Sequence, residues 1–306
     1  MNAAQLLQEI LMRTGLTQEQ LARRLDVPVR TLNAWVHQHM SPRAKNLANI
    51  QLLHQEMIGQ DTIDEAKRLA TERAAHASRM TIRTLLANQE LLDILTLHLT
   101  YHTNTIEGST MTLADVAEVL NDDNRVLANK TAREQIEARN HRTALYFLLD
   151  ALHKEGTHFT WSEELILQTH VRLMNTLVSD AGLYRRHGVR IMGSRATTVN
   201  HLRVAEAMSE CIDEMNEPPK TEPIEWLART HATFEKIHPF SDGNGRTGRL
   251  LLFVQALQLG LVPPLVAKER KRAYYTYLER AQVRGELEAL RLFIAESILF
   301  SKGLVT

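Results

Sequence analysis

Apolar residues recur at helical spacing along most of the chain. Leu6, Leu7, Ile10 and Leu11, then Leu21, Ala22 and Leu25, then Leu32, Trp35 and Val36 fall about one turn apart, which predicts a small helical unit over residues 1–45. Thr17 with Gln20 three residues on reads as a capping box. Residues 46–87 are polar, Ala-rich and free of Pro; they predict a helical connector with apolar positions too sparse for a core of its own. From Asn88 the pattern strengthens. Leu91, Leu92, Leu95 and Leu99 mark a helix ending near Tyr101, and Thr131/Glu134 and Thr160/Glu163 read as capping boxes opening two more. Residues 202–215, 222–237 and 287–299 add further helices, so 88–306 reads as a larger helical domain. Only 182–199 has strand character: Val189 and Ile191 alternate, Gly193-Ser194 can turn, and Thr197 to Val199 can return. The predicted fold class is all-α with one β-hairpin.

Composition changes this picture little. A 306-residue chain with 44% hydrophobic and 24% charged residues is long enough for two domains. Lys+Arg and Asp+Glu both number 36, so no global field draws nucleic acid or a membrane, and any such partner needs a local patch. One local excess lies in residues 1–45, where six basic residues against three acidic ones (Glu9, Glu19, Asp26) give +3. Cys211 is the single cysteine, which excludes an internal disulfide and fits a reducing compartment. The first residues do not read as a secretory segment, and the most apolar run, 250–266, is broken by Gln255, Gln258, Gly260 and Pro263-Pro264. A cytoplasmic location without a membrane partner is expected.

The chemistry concentrates in residues 238–249, HPFSDGNGRTGR. Gly243 and Gly245 flank Asn244 and let backbone N–H groups approach a ligand, the usual way to build an anion nest. The apolar residues that follow predict a helix, which puts the nest at a helix N-terminus, where unpaired amides favour phosphate. Arg246 and Arg249 share a helix face and offer two planar cationic forks. Asp242 supplies a hard oxygen for Mg²⁺, and His238 is the nearby group able to take a proton near neutrality. Neither a Walker loop nor a Rossmann turn is present, because the glycine spacing fits neither. His98 and His102 have i,i+4 ligand spacing but lack an accompanying carboxylate, so no transition-metal site is expected.

This stretch resembles the signature of the Fic (Fido) family, HxFx(D/E)GNGRxxR, at every specified position. Residues 103–108, TNTIEG, resemble the family's inhibitory motif, (S/T)xxxE(G/N), in its N-terminal version. Residues 182–199 are similar to the family's flap, a hairpin that holds the target segment as an added strand. Tyr274, Tyr275 and Gln282 stand where the family has a Tyr-Tyr pair and an amide, usually Asn, bordering adenine. The resemblance covers about residues 88–300. It implies transfer of AMP from ATP, with Mg²⁺, to a Ser, Thr or Tyr hydroxyl of a target protein. His238 would be the base and Asp242 the metal ligand. Gly243, Asn244, Gly245, Arg246, Thr247, Gly248 and Arg249 would hold the phosphates, Arg190, Ile191, Met192 and Gly193 would belong to the flap, and Glu107 would inhibit by pairing with Arg249. Removal of AMP from a modified protein by the same site is an alternative.

Residues 16–35 are similar to the helix-turn-helix of phage-repressor-type regulators, with Asp26 where that family usually has a turn Gly and Pro28 where it has a capping Ser. That resemblance implies DNA binding through residues 1–45, with a second helix over about 29–37 presenting Arg30, Asn33 and His37. A DNA-binding regulator whose nucleotide site only senses is thus a further alternative. Homodimerisation is left open.

Overall fold

The computed structural model describes residues 1–59, 63–191, 194, 196–217, 219 and 221–305. Fifteen α-helices and no strand occur among them, with one isolated antiparallel bridge between Arg79 and Leu261. The helices are α1 (Ala3–Thr14), α2 (Gln18–Arg24), α3 (Val29–Val36), α4 (Ala44–Ile58), α5 (Glu65–His76), α6 (Ile82–Leu86), α7 (Gln89–Ile106), α8 (Leu113–Asn121), α9 (Ala132–Glu155), α10 (Glu163–Leu173), α11 (Val204–Met215), α12 (Pro223–Ile237), α13 (Asn244–Gln258), α14 (Lys271–Arg284) and α15 (Glu288–Val305). Two compact units emerge: Met1–Ile63 with Glu269–Tyr277, and Asp64–Lys268 with Leu278–Thr306.

In the first unit, α1 to α4 bury Leu7, Ile10, Leu21, Leu32 and Trp35 together with Ile50, Met57 and Ile58 from α4. Thr17 caps α2 with the reciprocal Gln20 bond. The tight turn between α2 and α3 is made by Asp26 at φ 53°. Its short polar side chain tolerates that left-handed backbone better than most non-glycine residues. Pro28 stands at the N-cap of α3 and supplies no side-chain hydrogen bond.

The second unit is built around α13. Leu250, Leu251, Leu252, Phe253, Val254, Ala256 and Leu257 are all buried, so the later turns of this helix lie inside its unit. Helices α12, α9, α10 and α7 pack against it. Thr131 caps α9 through the reciprocal Glu134 box. The other expected box does not form: Ser162, not Thr160, caps α10, its Oγ accepting from Leu165 N–H at 3.1 Å. The N–H and carbonyl of the intervening Trp161 are tied to Asn216, which keeps residue 161 out of the helix.

Two further expectations are corrected. Helix α7 runs to Ile106 rather than ending near Tyr101. Buried Thr100, His102, Thr103 and Asn104 are held by tertiary packing that overrides their low helix propensity. The hairpin over 182–199 is absent among the described residues of that segment. Its carbonyls find a different donor: Arg185, buried, donates to His187 O at 2.8 Å and Val199 O at 2.5 Å, so no ladder is needed to satisfy them.

Candidate functional site

The site forms where α12 hands over to α13. Helix α12 ends on His238, whose backbone is left-handed at φ 52°, ψ 59°. A histidine in that conformation needs support from its surroundings. Arg185 provides it, donating Nε to His238 O at 2.7 Å and one terminal nitrogen to Ile237 O at 3.2 Å. The loop is then closed by Asn244. Its side chain accepts from Phe240 N–H and donates to Phe240 C=O, both at 2.8 Å, and it is buried. Asn244→Ala strands both groups of Phe240 away from water. The expected cost is about 2–3 kcal/mol, seen as a Tm lowered on the order of 5–10 °C in a thermal melt.

Gly243 caps α13 at φ 79°, and a Cβ there would meet Met174 Sδ at 2.6 Å. Gly243 has no side chain with which to cap this helix, and a helix start of that kind favours an anion. At Gly245 a Cβ would lie 2.6 Å from Glu107 Oε1 and 3.0 Å from an Arg249 nitrogen. Only glycine lets a carboxylate and a guanidinium come so close to this turn.

Charged groups line the same turn. Arg246, buried, donates to Glu137 Oε1 at 3.1 Å and lies 3.4 Å from Asp242 Oδ1. Asp242 is half exposed; its Oδ1 accepts from Gly243 N–H at 2.6 Å, and its Oδ2 is 3.3 Å from Arg133. Arg249, also buried, donates Nε to Thr103 Oγ1 and reaches Glu107 Oε1 at 2.5 Å. Glu107 is the C-cap residue of α7. The inhibitory-motif residue and the second signature arginine, 142 positions apart in sequence, are therefore joined directly.

His238 is tuned toward base chemistry. Its Nδ1 lies 3.2 Å from Glu235 C=O. A carbonyl can only accept, so Nδ1 carries the proton and Nε2 keeps its lone pair. Burial pushes this imidazole below its ordinary pKa, with the Glu235 carbonyl opposing and Arg185 assisting. His170 is fixed as well: Gly182 N–H donates to its Nδ1 at 2.8 Å, which leaves Nε2–H to donate to Asp242 C=O at 2.9 Å. Its ring stacks on Phe240 at 3.6 Å between centroids. Burial pushes its pKa down to about 4, so it is a neutral strut rather than a second base.

The remaining sequence-derived residues are dispersed. Thr247 is buried and bonds back to Gly243 C=O at 2.9 Å, and Gly248 lies within α13. Arg190 is exposed and Ile191 half-buried in the segment before α11, while Met192 and Gly193 lie outside the described residues. Tyr274 and Tyr275 lie in the first half of α14, grouped with the N-terminal unit, their rings 5.4 Å apart. Gln282, in the second unit, is buried and donates to Ala232 C=O at 3.4 Å. Of the carboxylates at the site Asp242 is the most exposed, and its anionic oxygens suit Mg²⁺, which is held by one or two carboxylates plus substrate oxygens.

Thr103 was marked in the sequence only as the first residue of the Glu107 motif, not as a partner of Arg249. Sequence reasoning did not find Arg185, His170, Glu137 or Arg133; each reaches the site from a distant segment, and none sits in a local pattern that would have marked it.

Residues 160–256 match the family model described as Fic/DOC family, and residues 7–51 match a helix-turn-helix model. Over 200 residues, 64% of this chain, the sequence is 34% identical to protein adenylyltransferase fic-1 of Caenorhabditis elegans, covering 38% of that protein. Over 273 residues, 87% of this chain, it is 27% identical to protein adenylyltransferase Fic of Nematostella vectensis, covering 59% of it. Among solved structures, Fic-1 from C. elegans is similar with a TM-score of 0.62 at 26% identity, over 86% of this chain and 75% of that one. The chain thus spans about two fifths of the length of the C. elegans relative. No helix among the described residues is long and apolar enough to cross a membrane.

Proposed function

We propose that this chain, which carries a Fic/DOC-family domain over residues 160–256, transfers AMP from ATP to a hydroxyl side chain of a protein and is held back by Glu107. The observation that carries the reading is a base, a carboxylate and two buried arginines gathered at the uncapped start of α13. That end of a helix attracts phosphate through its free amides and its dipole.

In this reading His238 Nε2 takes the proton of the target hydroxyl. The oxygen bonds to the α-phosphorus, the bond to the bridging oxygen breaks, and pyrophosphate leaves. Arg246 and the α13 amides stabilise the charge that grows on the phosphoryl oxygens. Arg246 is already held by Glu137 and Asp242, so little reorganisation is required at the moment of reaction. Arg249 binds the terminal phosphate and orients the chain of phosphates. Asp242 would hold Mg²⁺, which when bound neutralises phosphate charge. Glu107 competes for Arg249 and so disfavours the productive pose. A protein incubated with ATP labelled in the α-phosphate should retain label, whereas label in the γ-phosphate should not stay bound; retained γ-label would point to phosphorylation and overturn the reading.

A second activity, DNA binding by the N-terminal unit, is supported by the helix-turn-helix match over residues 7–51. Arg30 and His37 on or beside α3 are exposed, as are Arg43 and Lys45, while Asn33 keeps its Oδ1 buried and is less suited to reading bases than expected. The full chain should retard a random-sequence duplex at low salt, with affinity falling as salt rises and falling further in Arg30→Ala. Absence of retardation at low salt would remove this activity.

A further inference from the structure

Four charged side chains close a ring at the mouth of the site. Arg133 Nε lies 3.1 Å from Glu137 Oε1, and the same oxygen lies 3.1 Å from Arg246. Arg246 reaches Asp242 Oδ1 at 3.4 Å, and Asp242 Oδ2 returns to Arg133 at 3.3 Å. Helix α9 thus contributes one cation and one carboxylate, and the signature loop with α13 contributes the other two.

The two arginines in this ring differ in freedom. The Arg246 side chain is 4% exposed and pinned by both carboxylates, whereas that of Arg133 is 53% exposed. Arg133 also keeps a second partner, because Glu137 sits four residues on along its own helix. Swinging off Asp242 therefore costs Arg133 one solvent-screened ion pair and leaves the other intact. Screened pairs of this kind are weak.

Asp242 is the carboxylate that would hold the divalent cation, so a guanidinium and a metal ion compete for the same oxygen. We propose that Arg133 is a displaceable competitor for that cation: it balances the charge of Asp242 in the resting protein and yields the oxygen when metal arrives. The inference rests on the nucleotidyl-transfer reading above. Arg133 acts through Asp242 and is a positioning residue. The opposite role, a clamp on substrate phosphate, fits less well because Oδ2 of Asp242, rather than the α13 amides, is what its fork meets.

The test uses the full chain and Mn²⁺ as a spin probe, with free Mn²⁺ read by electron paramagnetic resonance in the absence and presence of ADP. Arg133→Ala should bind Mn²⁺ about three- to tenfold more tightly than wild type, the scale of one screened charge. Arg133→Lys, which keeps the charge, should stay near wild type, and Asp242→Ala should lose the site. Unchanged or weaker binding by Arg133→Ala, or Arg133→Lys behaving like Arg133→Ala, overturns the competitor role while leaving the metal assignment intact. Wild-type binding by Asp242→Ala overturns the metal assignment and this inference together. Because Arg133 is half exposed, its variants should melt at the wild-type temperature.

Discussion

Replacing Glu107 by glycine is expected to raise self-labelling from ATP by roughly 10- to 100-fold over wild type, the equivalent of one charge-assisted hydrogen bond. The Glu107 carboxylate does two things at once. It accepts from buried Arg249 at 2.5 Å, and the same oxygen stands 2.6 Å from where a Cβ of Gly245 would be. A negative group therefore already sits over the first turn of α13, where the proposed reading puts the nucleotide's phosphates. Removing it exposes both the guanidinium and the amides. Glycine is tolerated there because residue 107 closes α7 as its C-cap, with Gly108 supplying the left-handed turn at φ 110°. Glu107→Gln should give a smaller rise, since the amide still accepts from Arg249 but without charge. Equal labelling by wild type and Glu107→Gly would remove the inhibitory role.

His238→Ala, made in the Glu107→Gly background, is expected to lower labelling by about 10²–10⁴-fold, the usual contribution of a positioned general base. The effect should appear in the rate and leave nucleotide affinity nearly untouched, because the proposed reading gives the phosphates to Arg246, Arg249 and the α13 amides and not to His238. The pH profile gives a sign as well. A base works when unprotonated, and burial lowers the His238 pKa below its ordinary 6.5. The acid limb of kcat/KM should therefore fall below pH 6.5, and activity should be flat through neutrality. A limb above pH 7 would contradict the assigned base, since it would require an imidazole stabilised in its charged form. His141 and His231 cannot substitute for it: burial pushes both to about 3, with the Arg249 charge adding to the effect.

The signature loop was legible in the sequence because its chemistry is contiguous. Residues 238–249 hold the base, the carboxylate, the glycines and both arginines within twelve positions. Their order alone implies a nest at a helix start. The helical class was legible for the same local reason, since capping at Thr17 and Thr131 and the period of the apolar residues are nearest-neighbour signals. What supports the loop was not. Arg185 acts on carbonyls 52 and 53 residues away, His170 on one 72 away, and Arg133 on a carboxylate 109 away. Such contacts exist only once the chain has folded. The length of α7 was missed because Thr103 and Thr105 read locally as helix-ending, although Thr105 Oγ1 bonds back to Tyr101 C=O and Thr103 is buried against Arg249. The hairpin over 182–199 was over-read, since alternation of Val189 and Ile191 carries no information about a buried guanidinium that takes up the same carbonyls.

Glu134 shows how a local signal gains meaning from tertiary structure. As a capping residue it binds Thr131 N–H at 3.1 Å, and its other oxygen accepts from Thr110 N–H at 2.6 Å and Thr110 Oγ1 at 2.8 Å. Partial burial would raise its pKa, but these hydrogen bonds prevail and bring it down to about 2. The carboxylate is thus ionised across the working range of pH and ties the segment after Glu107 to the start of α9. The carboxylate that faces Arg249 is held from both sides, by α7 before it and by this contact after it.

Intact-mass spectrometry of the Glu107→Gly chain after incubation with ATP and Mg²⁺ tests the central claim most directly. The account predicts a species heavier by one or more AMP units that is missing when His238 is also replaced by alanine. A mass that stays unchanged in the Glu107→Gly chain, or that rises by phosphate alone, would contradict it.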